Sequence, residues 1–318
     1  MNPPAAALSL ENVQKKYGAV AALRGLSLSV ARGEMFGLIG PDGAGKTTTI
    51  RLMCGLLKPD GGRVAVLGRD PVKEHLAVTH AIGYLSQRFS LYGDLTVSEN
   101  LAFFAEIHGL RMSDPAIAGR KNRLLEMTQL APFHARLADQ LSGGMKQKLA
   151  LACTLIHEPE VILLDEPTTG VDPVSRREFW KLLSEFLAQG ITILMATPYL
   201  DEAERCARVA LIHEGTLLAL DDPDKLRTSL PGVVMEVIAA DRDALVKSAE
   251  RLPGVLDVRL FGERAHVRFE SGSPLVEPQP LIAALSSAGA QIESVRRVPP
   301  SLEDVFIALV TSQEGVRA

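Results

Sequence analysis

The ten residues GPDGAGKTTT, Gly40 to Thr49, follow directly on the apolar run Met35–Ile39 and lead into a helical pattern from Thr47 to Leu57. Gly40, Gly45, Lys46 and Thr47 fit the spacing G-x-x-x-x-G-K-[ST] in the strand, loop and helix setting that it requires. Each residue type has a chemical reason to be there. Glycines let backbone N–H groups turn inward and approach an oxyanion, and the helix N-terminus adds partial positive charge. Lys46 is a mobile point charge for β- and γ-phosphates, and the Thr47 hydroxyl is a hard oxygen ligand for Mg²⁺. A chain built on this stretch is committed to a buried strand that ends in an anion cradle.

A second run agrees. Val161-Ile-Leu-Leu-Asp165-Glu166 reads as a buried strand ending in two carboxylates. Asp165 is placed to hold Mg²⁺ directly or through water, and Glu166 to polarise an attacking water as general base. Around both runs, residues 1–228 alternate short apolar strands with helical patterns, the mark of an α/β sheet. Strands are expected at 35–39, 82–85, 161–164, 191–196 and 209–213. Between Asp94 and Gln140 the texture turns helical, strongest over 100–109 and 121–130. It reads as an inserted helical subdomain, about 88–155 once the helix after Leu141-Ser-Gly-Gly is included; there Leu149, Ala152, Leu155 and Ile156 share one face. A turn signal at Ser229-Leu-Pro-Gly232 marks a domain boundary. The remainder, 229–318, reads as a small α+β domain of βαββαβ type: strand 233–239, helix 243–252, hairpin 256–261 and 265–269, helix 280–288, strand 291–297 and a closing helix 301–310.

Composition narrows the function classes. The chain has 318 residues, 47% hydrophobic and 23% charged, ample for a real core. A net charge of −4 gives no basic bias toward nucleic acid, and none is expected as a partner. Cys54, Cys153 and Cys206 are far apart, show no metal or redox spacing, and read as reduced core thiols of a cytosolic protein. The first residues, MNPPAAALSLENVQKKYG, lack the basic and apolar regions of a signal peptide. No apolar run approaches the ~18 residues of a membrane span, so a membrane role has to come through a partner.

Leu141-Ser-Gly-Gly-Met-Lys-Gln147 is not required by phosphate-loop chemistry in general. With GPDGAGKTT, Gln87, LLDEP and the Thr169-Gly-Val-Asp172 loop in order, residues 8 to about 225 strongly resemble the ATP-binding subunit of an ABC transporter. The C-terminal domain and the wording TTGVDPVSRREFW look like the drug-exporter branch that pairs with ABC-2 type permeases. The resemblance implies a P-loop NTPase fold of the ABC ATPase kind with its helical subdomain, plus the C-terminal α+β domain. It implies ATP held by Gly40, Pro41, Asp42, Gly43, Ala44, Gly45, Lys46, Thr47 and Thr48, with Tyr17 stacked on adenine. It implies Mg²⁺ at Thr47, Asp165 and Gln87, catalysis by Glu166 with Gln87 sensing the γ-phosphate, and Ser142, Gly143, Gly144 and Asp172 reaching ATP across a dimer interface. Expected partners are an integral membrane permease and a second nucleotide-binding subunit, in a homo- or heterodimer at the cytoplasmic face of the membrane. Phe89, Leu91, Tyr92, Phe103 and Phe104 offer apolar surface to the permease, in whose fold the cargo path would lie. The other readings of this pattern are a soluble ABC ATPase acting on ribosomes or nucleic acid, and an ATP-binding regulatory subunit.

Two positions depart from the family. Asp42 stands where Asn or Ser is usual, a carboxylate beside an anionic triphosphate. Pro198 stands where the family has a His on the γ-phosphate; proline offers neither side-chain donor nor backbone N–H. Tyr199 faces the wrong way and His213 is too far along the next strand to substitute. The expectation is a site that binds ATP but hydrolyses it poorly, while this chain's LSGG completes a competent site on a different subunit. In the C-terminal domain, Glu263, Arg264 and His266 read as a hairpin turn and a solvated strand face. Pro299-Pro-Ser-Leu-Glu-Asp-Val-Phe306 is expected to dock the last helix, with Leu302, Val305 and Phe306 inward.

Overall fold

The computed structural model describes residues 6–87 and 91–317, with side chains described up to 312; the expected surface residue Phe89 lies outside them. The chain forms two compact units, Met1–Asp222 and Pro223–Ala318.

The first unit runs β1 (Ala6–Tyr17), β2 (Val20–Ala31), β3 (Met35–Ile39), α1 (Lys46–Met53), β4 (Gly61–Val66), α2 (His75–Ala81), β5 (Ile82–Leu85), α3 (Val97–Ile107), α4 (Pro115–Met127), α5 (Gly143–Leu155), β6 (Val161–Asp165), α6 (Pro173–Ala188), β7 (Thr192–Thr197), α7 (Leu200–Ala203), β8 (Arg208–His213) and β9 (Thr216–Asp221). Six of these strands make one sheet in the order β5-β6-β7-β3-β8-β9, parallel apart from β9. Every residue of β3, β6 and β7 is buried, as parallel strands covered on both faces require. That is why these runs were visible as unbroken apolar stretches. A separate antiparallel sheet, β2-β1-β4, was not expected. Its strands read poorly because the β1–β2 register shifts repeatedly and Asn12 breaks the alternation at φ 49.

The starts of α3 and α4 follow side-chain caps. Thr96 and Glu99 form a reciprocal capping box at α3. Asp114 caps α4 ahead of Pro115 in its first turn, which places the start well before the expected residue 121. Helix α1 stops at Met53, short of the expected Leu57, where the chain turns through Cys54 and Gly55. Helices α3 to α5 occupy the segment expected to be helical.

The second unit begins at Pro223, earlier than the expected boundary at 229. Residues Pro223–Ser229 form helix α8, which packs with the closing helix α11 (Leu302–Arg317). Between them come β10 (Val233–Ala239), α9 (Arg242–Ala249), β11 (Val255–Phe261), β12 (Arg264–Phe269), α10 (Pro278–Ser287) and β13 (Ile292–Val298). The antiparallel order β11-β12-β10-β13 is that of a ferredoxin-like βαββαβ unit. Met235, Val237, Val267 and Phe269 pack with Leu245 of α9 and Leu281 and Leu285 of α10.

Strand alternation sends Glu236 and His266 to the other face, paired in register. There the expectation of a solvated face fails for His266. Its side chain is only 14% exposed, and its Nδ1 lies 2.9 Å from Asp304 Oδ1. Asp304 closes a capping box with Ser301 at the start of α11, and Leu302 and Val305 are buried beside it; Phe306 is half-buried. Burial alone would raise the Asp304 carboxyl, but hydrogen bonds from His266 and Ser301 outweigh it and hold the group below its ordinary range. A depressed carboxyl stabilises the fold above its unfolded value near 3.8, and that contribution fades as pH falls through the lower folded value. His266→Ala is therefore expected to cost about 1–3 kcal/mol at neutral pH and to move acid unfolding upward, read by urea titration across pH. An unchanged acid limb would show that the pair does not anchor α11.

Candidate nucleotide site

The phosphate loop leaves β3 and enters α1 through Gly45, which adopts φ 103. A Cβ there would also lie 2.7 Å from the Ala22 carbonyl oxygen, so only glycine fits on both counts. Lys46, 4% exposed, folds back over the loop. Its Nζ donates to the carbonyls of Gly40 at 2.8 Å and Pro41 at 3.0 Å, and pairs with Glu166 Oε1 at 3.2 Å. A buried ammonium is tolerable only when its donors are satisfied in this way. Thr47 Oγ1 donates to Asp165 Oδ1 at 3.0 Å, and Gln87 Nε2 donates to Glu166 Oε2 at 3.0 Å. The end of β6, the phosphate loop and the residues after β5 thus converge on one cluster.

Asp165 is 1% exposed. Burial raises its carboxyl above the ordinary range, the Thr47 hydroxyl pulls it back, and the neighbouring Glu166 charge raises it further. A divalent cation beside this carboxylate would relieve that cost. The Thr47 hydroxyl and Asp165 carboxylate are adjacent hard oxygens, a donor pair that suits Mg²⁺ completed by phosphate and water. Among the described residues no group of three or more His, Cys, Asp or Glu is gathered to hold a metal, so the fit is to Mg²⁺ carried with a nucleotide rather than to a protein cage. Glu166 itself sits at φ 50, a left-handed conformation that costs a non-glycine residue about 1–3 kcal/mol. Its amide is held by the Ala196 carbonyl at 2.8 Å.

A cavity of about 600 Å³ opens over the loop, lined by Tyr17, Asp42, Gly43, Gly45, Lys46, Thr47, Thr48, Gln87 and Glu166. Tyr17 is 46% exposed at its rim, available for ring stacking. Asp42 is exposed, so its carboxylate keeps its hydration. Ala44 differs from its neighbours: its methyl is buried in the core and its carbonyl accepts from Gly215, leaving only its backbone to the loop. The cavity is also lined by Ala22, Arg24 and Glu214, which the sequence did not flag. The turn after β8 brings Glu214 there, because Gly215 bonds both Ala44 and Arg24 through its backbone. No local pattern reports a contact between residues so distant in the chain.

Ser142, Gly143, Gly144 and Asp172 do not line this cavity. Ser142 caps α5 by accepting from Met145, and Asp172 caps α6 by accepting from Val174 and Ser175. Hydrogen bonds from the Ser175 hydroxyl and amide, then the Val174 amide, hold the Asp172 carboxyl below its ordinary range. The two helix starts touch: a Cβ on Gly144 would fall 2.2 Å from Ser175 Oγ. Ser142, Gly143 and Asp172 are exposed, while Gly144 is buried against Ser175 between the two helix starts. Pro198 sits in the bend after β7, and Tyr199 turns away to lie against the Arg176 guanidinium at 5.0 Å. The aromatic strip runs from Tyr92, 46% exposed, edge-on to Phe103 at 4.5 Å and from there to Phe104 at 5.8 Å, partly open to solvent.

The ABC transporter profile matches residues 23–169, and the profile of the DrrA1-3-like ATP-binding protein C-terminal domain matches 222–310. The daunorubicin resistance ATP-binding protein DrrA3 of Streptomyces coeruleorubidus is 38% identical over 98% of both chains. The chain belongs to the ABC transporter ATP-binding proteins. Its resemblance is to their drug-exporter branch: the probable multidrug ABC transporter ATP-binding protein YbhF of Escherichia coli (strain K12) is 41% identical over 96% of this chain. The match takes in 52% of that relative, so the chain spans about half its length. A solved dimeric bacterial ABC transporter cassette overlays with TM-score 0.61 and 27% identity, over 68% of this chain and 98% of its own. Within this cassette all three cysteines are free and buried. Burial, then the Asp165 charge, pushes the Cys54 thiol up to about 12, so it stays protonated and inert. Among the described residues no helix is long and apolar enough to cross a membrane.

Proposed function

We propose that this chain binds ATP with Mg²⁺ between its phosphate loop and the LSGG surface of a second nucleotide-binding subunit, and that closing and hydrolysis drive an exporter through an ABC-2 type permease. The observation that carries this reading is the separation of two half-sites. Lys46, Thr47, Glu166 and Gln87 share one cavity, with buried Asp165 bonded to Thr47 beside it, while Ser142, Gly143 and Asp172 present helix N-termini from a different, exposed surface. Helix N-termini attract oxyanions, so that surface is suited to the far side of a triphosphate held by another copy.

In this mechanism the loop amides and Lys46 orient the β- and γ-phosphates, and Tyr17 packs on the base. Thr47 and Asp165, with Gln87 beside them, would hold Mg²⁺, which when bound would supply positive charge toward the phosphate oxygens. Glu166 is oriented by Gln87 and polarises the attacking water; Lys46 exchanges the Glu166 carboxylate for the γ-phosphate as nucleotide enters. Pro198 supplies no donor at the developing charge, so turnover at this chain's own site is slow. That favours pairing with a second subunit whose own phosphate site is completed by this chain's LSGG. The aromatic strip of Tyr92, Phe103 and Phe104 is the surface offered to the permease, which keeps the chain at the cytoplasmic face of the membrane.

Light scattering of the Glu166→Gln chain tests the clamp. ATP with Mg²⁺ is expected to produce a dimer, alone or on mixing with the partner subunit, and ADP to leave monomers. Ser142→Arg is expected to keep ATP binding and lose the dimer. Dimers that form regardless of Ser142 would defeat the proposal.

A further inference from the structure

The geometry points to Glu202 as a positioning residue for hydrolysis, tying together the turn that carries Glu166, the turn that carries Pro198 and the start of α6 that carries Asp172. The inference rests on the hydrolytic role of Glu166 proposed above.

Glu202 lies in α7 and is 1% exposed. Its Oε1 accepts from the Thr168 hydroxyl and from Arg176 Nε, the latter at 2.8 Å. Thr168 is 3% exposed and stands two residues after Glu166. The same turn is closed by Thr169 N to Glu166 O at 3.3 Å and Val171 N to Thr168 O at 3.2 Å. Arg176 belongs to the first turns of α6, directly after the Asp172 cap. Besides Glu202 it reaches Asp201 with bonds of 3.2 and 3.0 Å, and its plane lies over Tyr199, the neighbour of Pro198. One carboxylate therefore holds the turn after Glu166 through Thr168, and holds α6 through Arg176. Its own helix begins at Leu200, two residues after Pro198.

A buried carboxylate is costly unless its partners are well placed, and this one leaves Oε2 buried with no hydrogen-bond partner. A purely structural need would be met more cheaply by an apolar side chain. What the carboxylate adds is a fixed distance between three segments that must be in register when nucleotide is clamped. It acts at one remove: Glu202 lines no part of the cavity. Its influence passes through Thr168 to the left-handed Glu166, whose conformation persists only where its surroundings dictate it. A shift of about 1 Å in a reacting group can lower the rate roughly 10²-fold.

The test uses the full chain alone at saturating ATP, so that turnover reports its own Glu166 site and not a second subunit's. Thr168→Val keeps shape and removes the hydroxyl; Thr168→Ser keeps the hydroxyl; Glu202→Gln removes the charge that holds Arg176. Thr168→Val and Glu202→Gln are expected to lower maximal ATP turnover by about 10²-fold with ATP affinity and binding stoichiometry unchanged. Thr168→Ser is expected to stay near wild type, and the Thr168→Val/Glu202→Gln double variant to be no slower than either single variant, as for residues acting in one chain of contacts. Amide exchange over residues 166–172 is expected to accelerate in Thr168→Val and not in Thr168→Ser. Wild-type turnover in Thr168→Val, equal losses in Val and Ser variants, or unchanged exchange would each overturn the tie. If Glu166→Gln leaves turnover untouched, the hydrolytic reading fails instead, and the exchange measurement still judges whether Glu202 holds the turn.

Discussion

Pro198→His is expected to raise ATP turnover by about 10²–10³-fold over the parent chain, the range commonly lost when a single preorganised donor is removed from a developing charge. The backbone is ready to place it. Residue 198 follows β7 directly, and β7 pairs with β3 so that Thr197 lies opposite Ile39, the last residue before the phosphate loop. Gly40 N donates to Thr197 O at 3.4 Å, which keeps the two strand ends side by side. Tyr199 is engaged with Arg176 and supplies no substitute donor, and His213 is not among the residues that line the cavity. Phosphate release at saturating ATP, from the chain alone and with Glu166→Gln added, measures the effect. Brisk parental turnover that Glu166→Gln abolishes and Pro198→His leaves unchanged would remove the idea of a degenerate site.

Lys46→Ala is expected to weaken ATP binding by roughly 10²-fold, corresponding to about 3 kcal/mol, the scale for truncating one member of a buried hydrogen-bonded charge pair. Two losses combine. The phosphates lose their point charge, and Glu166, whose side chain is 9% exposed, loses its ion-pair partner. Lys46→Arg is expected to rescue little, because the Gly40 and Pro41 carbonyls at 2.8 and 3.0 Å cradle a compact ammonium rather than a planar fork. Calorimetric titration with ATP and Mg²⁺ reads both variants, and an unchanged affinity in Lys46→Ala would detach this lysine from the nucleotide.

What could be read from the sequence was whatever is local. The strands β3, β5, β6, β7 and β8 announced themselves as short apolar runs, since their sheet buries both faces. The loop chemistry of Gly40 to Thr48 and the paired Asp165 and Glu166 were equally plain, because a strand end fixes where the side chains after it go. In the second unit, the order of strands and helices followed from simple alternation. Strands β1, β2 and β4 escaped: β1 and β4 carry exposed Glu11, Lys16 and Arg63, and bulges break the period that would betray them. β9, half-buried along its whole length, gives no clean alternation. Arg24, Glu214 and Glu202 escaped for a different reason. Each matters through partners far away in the chain, and His266 looked solvated until α11 was seen to bring Asp304 to it.

The close fit of Gly144 against Ser175 has a mechanical consequence. The two exposed helix tips carrying Ser142 and Asp172 are bolted together without so much as a methyl group of slack. A load applied at one tip is delivered at the other, so the pair behaves as a single rigid plate and never as two independent fingers.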